Sequence, residues 1–535
     1  MGEQMKQIDE RKTEGGGIRL LIREKIPTLI KMVIPKSRIR EDNEGGIIDG
    51  AEERISRHDE KTPYLEVIGR ICPKDSEAPD IQWKILLPFQ WNGRSVQIGG
   101  GANNGRIPDL EGEMILSRCC PIEHGYAVFG DDSGHQSEDP MSAEFASNEE
   151  ALQNYIRSHL IKSLDVMRFV TAVCYGAEPE KIYFAGGSAG GREALECAIS
   201  YGKDYDGVFC ADPVCDFVLL RMWGALLSKA VYDSYDPPVH PYSDGFIDEE
   251  TVAAIQRDAI RRYDGLDGLE DGVVSNIYAA RMDRERFLEE IREKYGLTQA
   301  QIDTISVYED GYRLDYSLGK RGSRYRGCCA LEGGLMDLGP DPIPREPLDT
   351  KYNVHHGDRS DGVFKYFITG DKHWKLIDHD YRRPDEALLH MLTEASEKYD
   401  IRPDFDEFIA HGGKMILFTS WNDMSISPWQ IAARYRDYVE KYGQECVDGF
   451  IRFYIMPAAT HCRGISMDYL EWLDAWCTTG DYPEGPLYGY MEATGGEMPM
   501  ARFPGWVKYR GGDPKKGSSY EVSYDFPEGS GSVFD

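Results

Sequence analysis

The sequence lacks an apolar run long enough to cross a lipid bilayer. Residues 1–17 are polar and contain neither the apolar segment nor the cleavage-site pattern of a secretory signal. Residues 18–39 mix Leu and Ile with Lys and Arg, which suits a membrane surface or a segment docked on the protein. Because Pro27 and Pro35 interrupt this stretch, we expect a docked segment and no membrane span.

Positive charge is also scarce, since 61 Lys and Arg residues face 92 Asp and Glu residues and give a net charge of −31. A chain of this charge repels phosphate backbones, and no basic stripe offsets the repulsion locally. We therefore expect a small-molecule substrate and no nucleic acid partner.

The sequence also lacks a spaced disulfide framework: its 12 cysteines are unremarkable in 535 residues, and they include the adjacent pairs Cys119–Cys120 and Cys328–Cys329. This pattern favours free thiols in a reducing compartment. Together with the missing signal sequence, it predicts a cytoplasmic protein.

The residues that are present predict an α/β fold. From about Tyr64, short β-branched or aromatic runs alternate with longer amphipathic stretches, which is typical of a mostly parallel sheet covered by helices. Apolar residues at helical spacing predict a helix over 151–175. The predicted strands are 81–87, 95–98, 126–130, 181–185, 207–211, 414–418 and 450–456.

The composition along the chain predicts four segments. Residues 1–62 form an N-terminal extension that is partly irregular, and 63–216 form the first part of the core. Residues 217–403 are richer in charge, Tyr and turn residues, so we interpret them as an inserted lid domain. Residues 404–535 form the second part of the core and a wrapping tail, which we expect to be irregular because Gly, Pro and aromatics dominate it.

A candidate nucleophile lies where a predicted strand breaks at glycine. In Gly186-Gly187-Ser188-Ala189-Gly190, small residues two before and two after the serine let the backbone turn sharply and expose its hydroxyl. Such a pentapeptide alone is often an ordinary glycine turn. Its position between a strand and a helix favours Ser188 as a catalytic nucleophile.

A serine nucleophile needs a base and an orienting acid, which follow it in the order acid, then histidine in this arrangement. Asp423 follows the predicted strand 414–418, and His461 follows the strand 450–456. Individually, Asp423 would be read as the cap of a helix beginning near Ser427, and His461 as a surface-loop residue. Their shared position and order favour the catalytic interpretation.

The tetrahedral intermediate of acyl transfer needs N–H donors directed at its oxyanion. The residue after the nucleophile, Ala189, supplies one N–H, and the glycine-rich turn Gly99-Gly100-Gly101 supplies a second, from Gly100 or Gly101. This turn lacks the Lys-Ser/Thr of a phosphate-binding loop and the spacing of a dinucleotide fingerprint.

From Pro63 to about Gly512 the chain resembles the tannase and feruloyl esterase family of α/β-hydrolases. The resemblance is carried by separate motifs that occur in order: Trp91-Asn-Gly-Arg94, Gly99-Gly-Gly101, Asp132-Ser-Gly-His135, Tyr183 to Arg192, Gly370-Asp371, Asp423 and His461-Cys462. It implies an α/β-hydrolase fold with a large lid, and a Ser188–Asp423–His461 triad. The family's disulfide beside the nucleophile and the histidine is not possible here, because Gly187 precedes Ser188 and leaves Cys462 without that partner. Leu65 and Tyr263 likewise stand where secreted relatives tend to carry cysteines.

The segment 264–273 gathers carboxylates on a glycine-punctuated loop. Composition alone leaves a solvated acidic turn or a site for a hard cation such as Ca²⁺ open. The family resemblance implies a structural calcium site in the lid, with side-chain ligands from Asp264, Asp267 and Asp271 and carbonyl ligands from Leu269 and Val273.

Three further side chains have structural interpretations. His135 precedes the nucleophile in the chain, so we interpret it as structural and not as the base. Trp223 and Tyr232 could stack on an aromatic acyl group, but the lid core is the favoured interpretation.

The resemblance implies a serine carboxylesterase acting on esters of hydroxylated aromatic acids, such as gallate, ferulate and related cinnamates, without an organic cofactor. Alternatives are an acyltransferase, a hydrolase of another aromatic monoester of the terephthalate type, and a binding module without catalysis.

Overall fold

The computed structural model describes residues 17–234, 236, 238, 243–319, 322–483 and 485–528. Contacts divide the chain into two compact units. The described part of the first unit lies within Met1–Cys210, Asp404–Met415 and Tyr469–Tyr482. The described part of the second lies within Ala211–Pro403, Ile416–Asp468 and Pro483–Asp535.

The first unit is built on strands in the spatial order β1-β2-β3-β4-β6-β5-β7-β8. Neighbouring strands from β1 to β4 pair antiparallel, and β4 also pairs antiparallel with β6. β5 pairs in parallel with both β6 and β7. The strands are β1 Val33–Ile34, β2 Gly46–Ile55, β3 Pro63–Ile71, β4 Ile81–Pro88, β5 Arg94–Ile98, β6 Ala127–Asp131, β7 Lys181–Gly187 and β8 Gly207–Ala211.

Burial explains why the central strands were visible in the sequence. All five residues of β6 and of β8 are buried, so both strands are runs of apolar or small residues, apart from Asp131 at the end of β6. The predictions for β4 to β8 agree with the structure to within two residues at each end. β2 was not predicted, because only Gly46 and Ile48 of its ten residues are buried and several of the others are charged.

The helices of the first unit include the one predicted over 151–175, which the structure divides by a π-helical turn at Asn154–Ser158. Ile22 and Leu29 of the first helix are fully buried, which agrees with the docked segment. No described helix is long and apolar enough to span a membrane. The helices are α1 Gly17–Leu29, α2 Glu149–Gln153, α3 His159–Tyr175, α4 Ala189–Ser200, α11 Asp406–His411 and α14 Tyr469–Thr479.

The second unit is mainly helical. Its helices are α5 Phe217–Tyr232, α6 Glu249–Tyr263, α7 Ile277–Tyr295, α8 Gln299–Asp310, α9 Gly357–Val363, α10 Glu386–Tyr399, α12 Pro428–Tyr442 and α13 Gln444–Phe450. Its strands are β9 Tyr312–Arg313, β10 Arg324–Tyr325, β12 Ile451–Met456, β13 Ile465–Ser466, β14 Tyr488–Met491, β15 Gly496–Pro499, β16 Trp506–Tyr509 and β17 Tyr520–Ser523, while β11 Lys414–Ser420 begins at the unit boundary.

The expectation of an irregular C-terminal tail was wrong. β14 pairs with β15, and β16 pairs with β17, each in antiparallel register over four residues. Strands this short, separated by Gly- and Pro-rich turns, leave little periodicity to detect in the sequence.

The predicted lid segment, 217–403, falls inside the second unit, which also includes 416–468 and part of the tail. Its action as a lid stays a prediction. The twelve cysteines all lie in described residues, and none of them forms a disulfide.

Candidate active site

Ser188 occupies a strained turn between strand β7 and helix α4. Its backbone has φ 60° and ψ −118°, a conformation that L-residues adopt only where the surroundings enforce it. The side chain is half-buried, and among the described residues it makes no hydrogen bond that caps the helix. The hydroxyl is therefore held at the end of a buried strand without being used as a helix cap.

Two glycines make this turn possible. A Cβ on Gly186 would lie 2.5 Å from the Gly190 carbonyl oxygen, and a Cβ on Gly190 would lie 2.7 Å from that of Gly100. Neither clash can be relieved by rotating a side chain, because the opposing atoms belong to the backbone. Gly186 is therefore required for the tight turn around Ser188, and Gly190 for the close approach of this turn to the Gly99–Gly101 turn.

Glu193, which was not predicted from the sequence, forms a hydrogen bond to the Gly99–Gly101 turn. The Gly100 N–H donates to Glu193 Oε2 at 3.0 Å, and the Asn104 amide donates to Oε1 at 2.6 Å. The predicted donor Gly100 is therefore engaged with a carboxylate. Gly101 borders open space, since a Cβ there would meet no atom within 4 Å.

A buried histidine lies behind Glu193. His159 Nδ1 is 2.7 Å from Asp131 Oδ1, and Nε2 is 3.7 Å from Glu193 Oε1. Burial alone would lower the pKa of His159, but the Asp131 carboxylate outweighs it and the pKa is raised. A raised pKa favours the charged form of His159, which would offset the charge of the two neighbouring carboxylates in the core.

Asp423 and His461, both in the second unit, form a hydrogen-bonded pair. His461 Nδ1 lies 2.8 Å from Asp423 Oδ2, and the other oxygen, Oδ1, accepts the N–H groups of Ser425 at 2.7 Å and Ile426 at 3.0 Å. Asp423 is 1% exposed, whereas the His461 side chain is 24% exposed. An ionised carboxylate only accepts hydrogen bonds, so this contact favours the tautomer that carries the proton on Nδ1.

The charge state of His461 follows from its surroundings. Burial would lower the pKa of the imidazole, but the carboxylates of Asp423 and then Asp212 outweigh this effect and raise it above its ordinary value. Asp212 was not predicted from the sequence. Its position directly after a buried strand, as for Asp423, was the available signal.

The other predicted side chains are buried within their own units. His135 stacks on Phe145 with ring centroids 3.6 Å apart, and burial lowers its pKa to about 4. Trp223 is fully buried and donates its indole N–H to the Val307 carbonyl, while Tyr232 is 1% exposed. These contacts agree with structural roles for all three.

The three predicted calcium-binding aspartates lie in one loop of the second unit, where their charges act on one another, but they are not among the described side-chain groups whose ligand atoms all lie within 4.8 Å of one another. Asp264 Oδ1 accepts the N–H groups of Asp271, Gly272 and Val273, at 3.0 to 3.2 Å. Asp267 is buried, and burial together with the charges of Asp271 and Asp264 raises its pKa to about 7. Among the described residues, no Lys, Arg or His side chain forms an ion pair with the three carboxylates. Carboxylates that act on one another without a cationic partner among the described residues are the ligand type that a hard cation prefers.

Comparison with known proteins identifies the family. The family described as tannase and feruloyl esterase matches residues 65–523. An uncharacterized esterase of Agrobacterium fabrum is 36% identical over 519 residues, which cover 92% of each chain. Two crystal structures show the same α/β-hydrolase fold, which confirms the predicted fold class.

The first is feruloyl esterase B from Aspergillus oryzae, with TM-score 0.72 and 18% identity over 91% of this chain and 98% of that one. The second is the tannin acyl hydrolase from Aspergillus niger, with TM-score 0.68 and 17% identity over 94% of this chain and 95% of that one. The chain therefore belongs to the tannase and feruloyl esterase family of α/β-hydrolases and is a carboxylic ester hydrolase.

Proposed function

We propose that the protein hydrolyses esters of hydroxylated aromatic acids through Ser188, His461 and Asp423. The observation that carries this proposal is the 2.8 Å contact between His461 Nδ1 and Asp423, which orients the ring and leaves Nε2 as a base. The strained turn at Ser188 is the second support, since such a turn is what exposes a catalytic serine in this fold.

In the proposed reaction, His461 Nε2 accepts the Ser188 proton while the serine oxygen attacks the ester carbonyl. The resulting imidazolium is stabilised by Asp423 and protonates the departing alcohol, which leaves an acyl-enzyme. A water molecule, deprotonated by His461, then attacks the acyl-enzyme. The products are the free acid and a regenerated Ser188.

Two backbone groups are proposed to bind the oxyanion. Ala189 is the first residue of α4, where N–H groups lack intrahelical acceptors and the helix dipole favours negative charge. In the glycine turn we assign the second donor to Gly101, because the Gly100 N–H is bonded to Glu193. Removing one such donor typically costs about 3 kcal/mol of transition-state stabilisation.

The substrate class is supported by the names of the two structural neighbours, which are a feruloyl esterase and a tannin acyl hydrolase. A panel of gallate, ferulate, caffeate, p-coumarate, terephthalate monoester and simple aryl esters, compared by kcat/KM, tests it. We expect the hydroxylated aromatic esters to be hydrolysed fastest. Preference for the terephthalate monoester would select that alternative, and acyl transfer to added alcohols in excess of hydrolysis would select an acyltransferase.

A serine-directed fluorophosphonate tests the nucleophile independently of substrate choice. We expect one adduct, located on Ser188 by mass spectrometry of the digested protein. Folded protein that forms no adduct there would contradict the serine mechanism and favour a binding module.

We also propose that the segment 264–273 binds Ca²⁺ as a structural ion. The carboxylates of Asp264, Asp267 and Asp271 would hold it, with the carbonyl groups of Leu269 and Val273. A bound divalent cation would neutralise carboxylates that the described part of the chain leaves without a positive partner.

Chelation is therefore expected to lower the melting temperature, and added Ca²⁺ is expected to restore it, because a ligand that binds only the folded state stabilises that state. Asp267→Asn should abolish this response. Glu270→Gln is the matched control, since Glu270 is an exposed carboxylate in the same loop and should leave the response unchanged. A melting temperature that is insensitive to both chelator and Ca²⁺ would exclude the site.

A further inference from the structure

Asp212 directly follows strand β8, and its side chain is fully buried. Its backbone φ of 42° lies in the left-handed region, which is strained for a residue with a Cβ. A buried carboxyl in a strained conformation is costly, so it persists only where specific partners hold it.

Both oxygens of Asp212 have such partners. Oδ1 accepts the hydroxyl proton of Thr419 at 2.8 Å, and Oδ2 accepts the backbone N–H of Cys462, also at 2.8 Å. Cys462 is itself strained, with φ 54°. The Asp212 carboxylate thus bonds to the residue that immediately follows His461.

Asp212 also lies close to the His461 ring, because one of its oxygens is within 4.8 Å of a ring nitrogen. The charged and titratable groups that act on His461 are the carboxyls Asp423 and Asp212, the guanidinium of Arg359, and the imidazoles of His355 and His356. Burial, and then the charge of Asp423, raise the pKa of Asp212 to about 7. Two carboxyls, and not one, therefore face the same imidazole.

We propose that Asp212 is a positioning residue, which fixes the His461–Cys462 segment through the Cys462 N–H. Cys462 forms no disulfide with another described residue, so no covalent bond through its side chain restrains this segment. The Asp212 hydrogen bond supplies a non-covalent restraint on the same segment. This inference rests on the proposed function for its catalytic consequence, but the restraint itself is a property of the fold.

Two substitutions separate the hydrogen bond from the charge. Asp212→Ala removes both, so we expect kcat to fall by about 10²-fold, the effect of a misplaced catalytic group, with KM nearly unchanged. Asp212→Asn retains an oxygen for Cys462 and an amide for Thr419, so its kcat at alkaline pH should stay near the wild-type value. Because a charge that favours the imidazolium is lost, the acid limb of its pH profile should move to lower pH.

Hydrogen exchange of the segment 459–464, followed by mass spectrometry, measures the restraint without turnover. We expect faster exchange at Cys462 in Asp212→Ala and wild-type exchange in Asp212→Asn. Thr419→Val tests the same restraint with nearly constant volume, and should also speed exchange. Asp132→Asn is the matched control, because Asp132 is another buried carboxyl with a pKa of about 7, located in the first unit.

The proposal is overturned if Asp212→Ala folds with wild-type exchange at Cys462, or if its kcat stays within about twofold of the wild type. If Asp212→Ala does not fold, wild-type exchange in Thr419→Val overturns it instead. A wild-type protein that hydrolyses no ester would refute the proposed function, while the exchange data would still decide the role of Asp212.

Discussion

Replacing Ser188 with alanine is expected to lower kcat by about 10⁶-fold, which is the scale of loss when a serine nucleophile is removed. Without the hydroxyl no acyl-enzyme forms, and the remaining groups stabilise only the direct attack of water. KM should change little, because the strained turn and the oxyanion donors stay in place. Steady-state hydrolysis of the best ester in the panel, with fluorophosphonate labelling in parallel, measures both effects.

Ser200→Ala is the matched control for this substitution. Ser200 ends the same helix, α4, and donates its hydroxyl to Glu196 at 2.7 Å, so it shares the helix but not the proposed chemistry. Its kcat should equal that of the wild type. If Ser188→Ala keeps more than about one per cent of the wild-type kcat, Ser188 is not the nucleophile.

The second large effect is expected for Asp423→Asn, with a loss in kcat of about 10⁴-fold. An asparagine amide donates a hydrogen bond to Nδ1, which places the imidazole proton on Nε2 and removes the base. The pKa of His461 should also fall, because the carboxylate that raises it most is gone. Measuring kcat/KM between about pH 5 and 9 then shows the acid limb at lower pH, together with the lower plateau.

Asp468→Asn is the matched control, because it removes the same charge at an exposed position of the second unit. It should leave the acid limb of the pH profile and the plateau value of kcat/KM unchanged. A loss of less than about tenfold in Asp423→Asn would mean that another carboxyl orients His461. In that event Asp212 would be the next residue to test in this role, because its charge acts on the same ring.

The parts of the fold that were predictable are those with a local physical cause. Strands such as β6 and β8 are buried on both faces, so apart from Asp131 at the end of β6 they form runs of apolar or small residues that are visible in the sequence. β2 has only two buried residues, Gly46 and Ile48, and it contains two glycines and several charges, so its sequence shows no clear strand pattern. The hairpins β14–β15 and β16–β17 are too short to generate a periodic signal.

The same distinction holds for the candidate site. Ser188 was predictable because its tight turn requires glycines at fixed positions before and after the serine, and this spacing is visible in the sequence. Glu193 was not, because its partner Gly100 is 93 residues away in the chain. Asp212 depends on Thr419 and Cys462, which are 207 and 250 residues away. Only the folded chain identifies such partners, since the sequence gives residue types and not their distances.

The close approach of Gly190 to the Gly100 carbonyl has a consequence for how substrate preference can diversify. This contact is between main-chain atoms, and a methyl group on Gly190 would lie 2.7 Å from the opposing oxygen. No side chain there can be exchanged to reshape the surroundings of the reacting carbonyl. Divergence among paralogues, or selection in the laboratory, is therefore expected to retain this glycine contact and to alter specificity at positions whose side chains are free to vary.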